Sequence, residues 1–463
     1  MEGLVSEDPE RPSTAADVVT QGEDAVTFRD IFSLPEYRAL YFSTLVNWIG
    51  DYLSRAAVTV LVYHQSESVL LSAASFAISY LPWFFGPVLA ALAERYPYRR
   101  VMITSDLCRM VLIGLLLIPD VPVPVMLVLL FLSSLGAPPT QAARSALLPA
   151  VVGRERLALA LTTNQTSGQA AQVIGYMAGA TLAVALTPRI ALGIDVATFA
   201  LSALLIAFGV GRRPAAFGRT QRTHLLRETA EGFHLVFGHA ALRSIVIVVF
   251  TTTVFAIVPE GLAAAWAAEG TPDPGTRGLD QGLIMAAGPF GFVFGGILFN
   301  RLVPAARRAR LIPYLAVLPP LFLVPSLAGP PASVVALLVM FSGVIQGALM
   351  PTLNATFVLA LPHHFRARAF GVVNSGVQLS QFGAVMITGT LADHFWLPLV
   401  VGLWSIGGTL AMILLALRWP SPKTFTAAVE AAATTEPARQ APGPGSARVP
   451  TTSVTPERHR PNR

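Results

Sequence analysis

Residues 92–100 read Leu-Ala-Glu-Arg-Tyr-Pro-Tyr-Arg-Arg. An apolar run over 69–93 precedes them and another over 101–119 follows. Three arginines between two bilayer-length runs mark a short link on the inner face of a membrane, where basic residues are retained. Composition agrees: of 463 residues 53% are hydrophobic and 13% charged, with a mean hydropathy of +0.60. A soluble domain carries about 25% charge, and no polar linker cuts residues 37–418 into soluble units. The sequence predicts an all-α, polytopic membrane protein.

Crossing a bilayer core of roughly 30 Å takes about 20 apolar residues. Twelve runs meet that requirement, at 39–63, 69–93, 101–119, 124–148, 158–187, 189–210, 243–268, 281–303, 311–329, 333–361, 370–393 and 397–418. The ninth is interrupted by Pro313, Pro319, Pro320 and Pro325. The even-numbered links hold 17 arginines, whereas the odd links hold only Arg189 and Arg277. Even links therefore face the cytosol, as do both termini. This gives a polar lead-in at 1–36, a six-helix bundle at 37–210, a cytosolic linker at 211–242, a second six-helix bundle at 243–418 and a tail at 419–463. The lead-in has no basic start or apolar core of an export signal, and the Pro- and Ala-rich tail cannot bury a core, so both are expected to be disordered. In the linker Leu225, Leu226, Phe233, Val236 and Phe237 oppose Arg227, Glu228, Glu231 and His234 at helical spacing, which predicts an amphipathic helix on the inner interface.

Several chemistries are excluded. One cysteine, Cys108, allows neither a disulfide framework nor a cysteine-ligated metal. The only lysine, Lys423, stands in the tail, so a GxxxxGK[ST] phosphate loop cannot form. No nucleophile elbow, HExxH or Gly-rich nucleotide fingerprint is present, and no enzyme activity, cofactor or metal is expected. The net charge of +6 is scattered in short clusters suited to lipid headgroups, not nucleic acid.

The two bundles carry a common pattern. Leu148-Pro149, Arg154-x-Arg156, Asn164 and Gly179 recur as Leu361-Pro362, Arg366-x-Arg368, Asn374 and Gly389. Matching polar residues at one depth of two related spans suggest a transporter repeat with its path between the halves. An ionisable group at mid-bilayer costs at least ~2.5 kcal/mol and needs a partner, a wet cavity or a function. Asn47, Asp51 and Arg55 share one face of span one; Asp51 and Arg55 can pair directly, either as a proton- or cation-handling site or as a static pin. In span seven Glu260 stands between Pro259 and Gly261 with no basic residue within a turn, a second candidate for proton coupling unless it is merely hydrated in an outer vestibule. Asn164, Gln169, Gln346, Asn354, Asn374, Gln378 and Gln381, with Asn47, are candidates for a cavity wall; bonding between helices is the alternative for any one of them. Asp195 and Asp393, near outer helix ends, are expected to be surface or capping residues.

The stretch from Leu92 to Arg100, followed by Asp106 and Arg109, resembles the G-x-L-A-D-R-x-G-R-R signature of the major facilitator superfamily. Ala90 stands at the usual glycine and Glu94 at the usual aspartate. A degenerate second copy, Gly296-x-Leu298-x-Asn300-Arg301, occupies the equivalent link of the other half. Ala146-Leu147-Leu148-Pro149, Arg154-Glu155-Arg156-Leu157-Ala158 and Glu231-Gly232-Phe233 leading to Leu242-Arg243 resemble the bacterial drug-efflux and siderophore-exporter branch. The antiporter motif of span five survives as Gly175-x-x-x-Gly179 without its proline. The resemblance implies two pseudo-symmetric bundles that rock about a central path. It also implies a cytosolic gate made by Glu94, Arg95, Arg99, Arg100, Asp106 and Arg109, with Asn300 and Arg301 opposite.

The expectation is a monomeric secondary transporter of the cytoplasmic membrane that exports a small amphipathic, cationic or zwitterionic compound by proton antiport, with substrate, protons and lipid as its partners. An uptake symporter or facilitator is the first alternative. A non-transporting receptor or scaffold on the same fold is the second.

Overall fold

A computed structural model describes residues 27–214, 233–271, 273, 275–361, 366–421 and 424–425. Every regular element among them is helical, as backbone in lipid requires, because a helix satisfies its own N–H and C=O groups. In chain order the elements are α1 (Phe28–Phe32), α2 (Pro35–Ser66), α3 (Val69–Ala77), a 3-10 turn (Ile78–Phe85), α4 (Gly86–Glu94), α5 (Tyr98–Leu115), α6 (Val123–Ser134), α7 (Ala137–Ala185) and α8 (Pro188–Gly209). They continue as α9 (Ala240–Ala256), α10 (Val258–Gly261), α11 (Ala263–Gly270), α12 (Arg277–Leu302), α13 (Ala305–Leu323), a second 3-10 turn (Val324–Ala328), α14 (Ala332–Leu359), α15 (Arg366–Ala392) and α16 (Leu397–Leu417).

Among the described residues eight helical stretches are long and apolar enough to cross a membrane: Val69–Glu94, Val123–Gly153, Pro188–Gly209, Ala240–Gly261, Arg277–Leu302, Arg307–Ala328, Ala332–Leu359 and Leu397–Leu417. The proline-rich ninth run is among them. Helices α2, α5 and α15 and the second part of α7 fall short on length or hydropathy. They carry several of the polar residues that the sequence singles out, among them Asn47, Asp51, Asp106 and Gln378. Large apolar side chains such as Phe208, Leu302 and Leu417 stand on the outer surface, more than 65% exposed, as lipid-facing residues do.

Breaks fall where the backbone chemistry puts them. Pro82 lies in the first 3-10 turn, where a missing N–H disrupts the α-helical ladder. The seventh run is cut at Pro259 and Gly261, on either side of Glu260. Runs four and five span α6 and α7, and within α7 two helical segments meet without a loop at Gly153, whose φ of 77° and ψ of 169° suit glycine alone.

Glycines set the closest helix crossings. The Gly175-x-x-x-Gly179 face of α7 lies on α2, where a Cβ at Gly175 would stand 2.8 Å from the Ile49 carbonyl and one at Gly179 would strike that of Leu53. Helices α12 and α14 interlock twice over: Gly291 and Gly295 meet the backbone at Met340 and Val344, while Gly343 and Gly347 meet it at Gly288 and Phe292.

One sequence expectation needs correction. The lead-in is helical from Phe28, because Ile31 and Tyr37 are fully buried in a cluster with Met102, Leu147 and Ile206. In the linker, residues 233–238 are helical with Val236 buried and Phe233 exposed, whereas Leu225, Leu226, Arg227, Glu228 and Glu231 lie outside the described residues. Most of the tail beyond 425 is likewise outside them.

Candidate functional site

A cavity of about 430 Å³ lies between α2, α6, α7, α9, α12, α14 and α15, within the size range of small-molecule sites. Its wall carries Asp51, Asp195 and Glu260 against Arg55, Arg109 and Arg144. Charges so placed in apolar helices are costly unless partnered or wet.

Asp51 and Arg55 share a helical turn but do not pair. Arg109 of α5 donates from Nη2 to Asp51 Oδ1 at 2.5 Å, with its guanidinium carbon 4.4 Å from the centre of the Phe199 ring. Arg55 sits among the rings of Tyr52, Phe76 and Tyr80, 5.2–5.6 Å from their centres, and donates to the Tyr80 hydroxyl at 3.3 Å. The i, i+4 spacing permits a bond, but the partners from α3 and α5 cannot be seen in a local pattern. Asn47, one turn earlier, donates to Asp106 Oδ1 at 3.0 Å, and Ser202 of α8 donates to Asp106 Oδ2 at 2.6 Å.

Asp106 and Arg109 therefore do not stand with the mouth residues as expected. Asp106 is fully buried and Arg109 nearly so, and together with Asn47 and Asp51 they tie α2 to α5. Of the remaining gate candidates, Glu94 is partly buried and Arg95 and Arg100 are exposed. Arg99 donates to the Ala207 carbonyl, fastening the start of α5 to α8. Asn300 and Arg301 are exposed at the end of α12, and the Asn300 carbonyl accepts from Arg308 at 3.0 Å.

Glu260 lies on the cavity wall in the break between α9 and α11, 9% exposed, with Oε2 lacking a hydrogen-bond partner. Among the amide candidates, Asn47, Gln169, Gln346, Gln378 and Gln381 line the cavity. Asn164 is half-buried away from it, and Asn354 and Asn374 are exposed. Asp195 is no surface residue: it is 1% exposed and lines the cavity, with Oδ1 accepting from Thr198 at 3.2 Å. Sequence reasoning missed Arg144 altogether; near the end of its run it looks like one more residue of an inner link.

Chain segments far apart in sequence also meet beyond the cavity lining. Gln281 of α12 donates to the Ala56 carbonyl at 3.0 Å and to Thr59 Oγ1 at 2.9 Å on α2. Asp393, expected to cap a helix, caps α3: its Oδ1 accepts from Ser68 Oγ at 3.0 Å, Val69 N–H at 2.8 Å and Leu70 N–H at 3.3 Å.

Solved structures share this architecture. Nucleoside transporter NupG superposes with a TM-score of 0.62 at 11% identity, covering 84% of this chain and 98% of that one. A peptide transporter POT in complex with sulfate gives 0.64 at 13%, covering 88% and 97%. A bacterial homologue of the iron transporter ferroportin in an inward-facing state gives 0.63 at 16%, covering 84% and 99%. At these identities the likeness fixes the fold alone. No curated protein matches the sequence. The Major Facilitator Superfamily profile matches residues 40–340, and with the helical architecture, the motif at 92–100 and the polar central cavity it leads to one assignment: the chain is a multi-pass membrane protein of the major facilitator superfamily.

Proposed function

We propose that this protein is a secondary active transporter that exports a small amphipathic compound across the cytoplasmic membrane by alternating access, coupled to inward proton flow. The observation carrying the reading is the cavity itself, a balanced set of carboxylates, guanidiniums and amides enclosed by helices that are otherwise lipid-like. In this reading the eight strongly apolar stretches and the four polar-bearing helices form twelve spans. They fall into two bundles, 37–210 and 243–418, with both termini cytosolic. The contacts of α7 with α12 and of α3 with α15 support that arrangement, since exchanging the halves turns one pair of spans into the other. The contacts of Gln281 with α2 and of Asp393 with the start of α3 are then on the outer side. Glu260, in a helix break on the cavity wall, is the first candidate for the coupling proton and Asp51 the second. The likeness of the motifs at 146–158 and 231–243 to those of drug and siderophore exporters supports the choice of export.

A growth-inhibition panel with the gene deleted and overexpressed identifies compounds, and inverted vesicles under an imposed pH gradient then report direction. Extrusion that speeds up with the gradient and becomes pH-independent in Glu260→Gln supports antiport. Accumulation in the opposite sense establishes uptake. Wild-type rates and unchanged pH dependence in both Glu260→Gln and Asp51→Asn exclude proton coupling through these carboxylates.

A further inference from the structure

Among the described residues, Arg144 is the cavity cation without a hydrogen-bond or ion-pair partner. Its side chain belongs to a residue 8% exposed on α7, and its Nε and Nη2 are sealed from solvent without a hydrogen-bond acceptor. Asp51 and Asp106 lie within electrostatic reach. Each is already engaged, Asp51 by Arg109 and Asp106 by Asn47 and Ser202. One turn before Arg144, Thr140 is 3% exposed, and its Oγ1 also lacks a partner. Threonine in a helix ordinarily donates back to the carbonyl four residues earlier, as Thr44, Thr162 and Thr252 do here. Residues four apart share a helix face, and both line the cavity. Three polar atoms lacking partners, from two nine-tenths-buried side chains, thus converge on one wall.

Buried guanidiniums and hydroxyls are stable only when satisfied. A planar cationic fork with an adjacent hydroxyl matches the oxygens of a carboxylate, sulfonate or phosphate. We propose that Arg144 and Thr140 form an anion subsite in the cavity, so that the transported compound carries a carboxylate, sulfonate or phosphate group that docks there. This rests on the transporter reading above for the identity of the anion as cargo. The subsite itself does not depend on it. Arg109 is unsuited to the role because Asp51 occupies it, and Arg55 because aromatic faces enclose it.

The test uses the full-length protein purified in an uncharged detergent and titrated with benzoate, benzenesulfonate and phenyl phosphate, followed by melting temperature. Benzylammonium and benzyl alcohol are the charge controls, and phosphatidylglycerol is a separate arm. The expected result is a saturable rise with the organic anions and none with the controls. In Arg144→Gln the half-saturating concentration rises roughly ten- to hundredfold, as for loss of a charge-assisted hydrogen bond, with smaller losses in Thr140→Val and Arg144→Lys. Ligand-free Arg144→Gln melts at or above wild type, because an unpaired buried charge has been removed; a merely structural arginine would lower it. An Arg144-dependent rise with phosphatidylglycerol alone keeps the subsite and identifies the anion as a lipid headgroup. The proposal is overturned if no anion or lipid shifts the wild type, if benzylammonium acts like the anions, or if the rise survives Arg144→Gln. If Arg144→Gln does not fold, undiminished binding in both Arg144→Lys and Thr140→Val overturns it equally. Anion binding without movement in vesicles would refute transport and leave the subsite standing; transport with no anion effect would refute the subsite alone.

Discussion

Asp393 holds Val69 across 324 residues of sequence, its Oδ1 accepting the Val69 backbone N–H at 2.8 Å. With Ser68 and Leu70 also bonded to that oxygen, one carboxylate serves as a helix cap supplied by a distant helix. Losing a cap costs about 1 kcal/mol. Asp393→Ala should lower the melting temperature and loosen the packing of α3 against α15. In a Cys108→Ser background, a cysteine placed by Ser75→Cys should then react faster with an impermeant maleimide applied from outside. Unaltered reactivity would show that the cap does not govern access.

Close crossings predict opposite outcomes at two helical glycines. A Cβ at Gly295 would collide with the Val344 carbonyl, whereas one at Gly407 meets nothing within 4 Å. Gly295→Ala should cost ~1–3 kcal/mol by overpacking, and Gly407→Ala should stabilise by about 0.5–1 kcal/mol through helix propensity. Yield of monodisperse protein and thermal melting distinguish the two, and equal effects would mean that α12 and α14 do not interlock as described.

The Asp51–Arg109 pair is open to the cavity on one side, the aspartate side chain being 25% exposed and the arginine 11%. Asp51→Asn strands the guanidinium and should cost about 1–3 kcal/mol, less than a fully buried pair because cavity water can reach it. Adding Arg109→Gln should recover part of that loss. Strict additivity of the single and double variants in a thermodynamic cycle would show that the two residues are uncoupled.

At the start of the linker Glu36 accepts two bonds from Arg213 and one from the Gly211 N–H at 3.0 Å. The Arg213 hydrogen bond, aided by the Gly211 amide, holds its carboxyl below the ordinary glutamate value of 4.5. A carboxyl so lowered contributes stability above its unfolded pKa and loses it as pH falls through the folded one. The difference in melting temperature between wild type and Glu36→Gln should therefore be constant from pH 7 to about 5 and shrink below about 4.5. A gap that widens on acidification would contradict the tether.

Apolar runs were legible because lipid imposes them residue by residue, and even the run with four prolines is helical to Leu323. The polar network was legible only in its members. Asn47, Asp51, Asp106 and Arg109 could each be picked out, yet which one meets which depends on how α2, α5 and α8 cross, and no helical period encodes that. Arg144 escaped notice for a related reason: a lone arginine near the end of an apolar run reads as positive-inside charge until the absence of a partner is seen in three dimensions. The cap by Asp393 was legible in kind but not in target.

Gly153 is the sole elbow in the 49 residues of α7. The segments on either side meet there without an intervening loop. A single residue inserted into the helical turn just beyond Gly153 would rotate everything downstream in that segment by about 100°. Gln169 and Gln172 would swing off the cavity wall and Gly175 and Gly179 off the face of α2. An inserted residue between α8 and α9, where the linker is long, would leave both helices where they are. Tolerance to indels should therefore differ sharply between two links that hydropathy alone treats as equivalent.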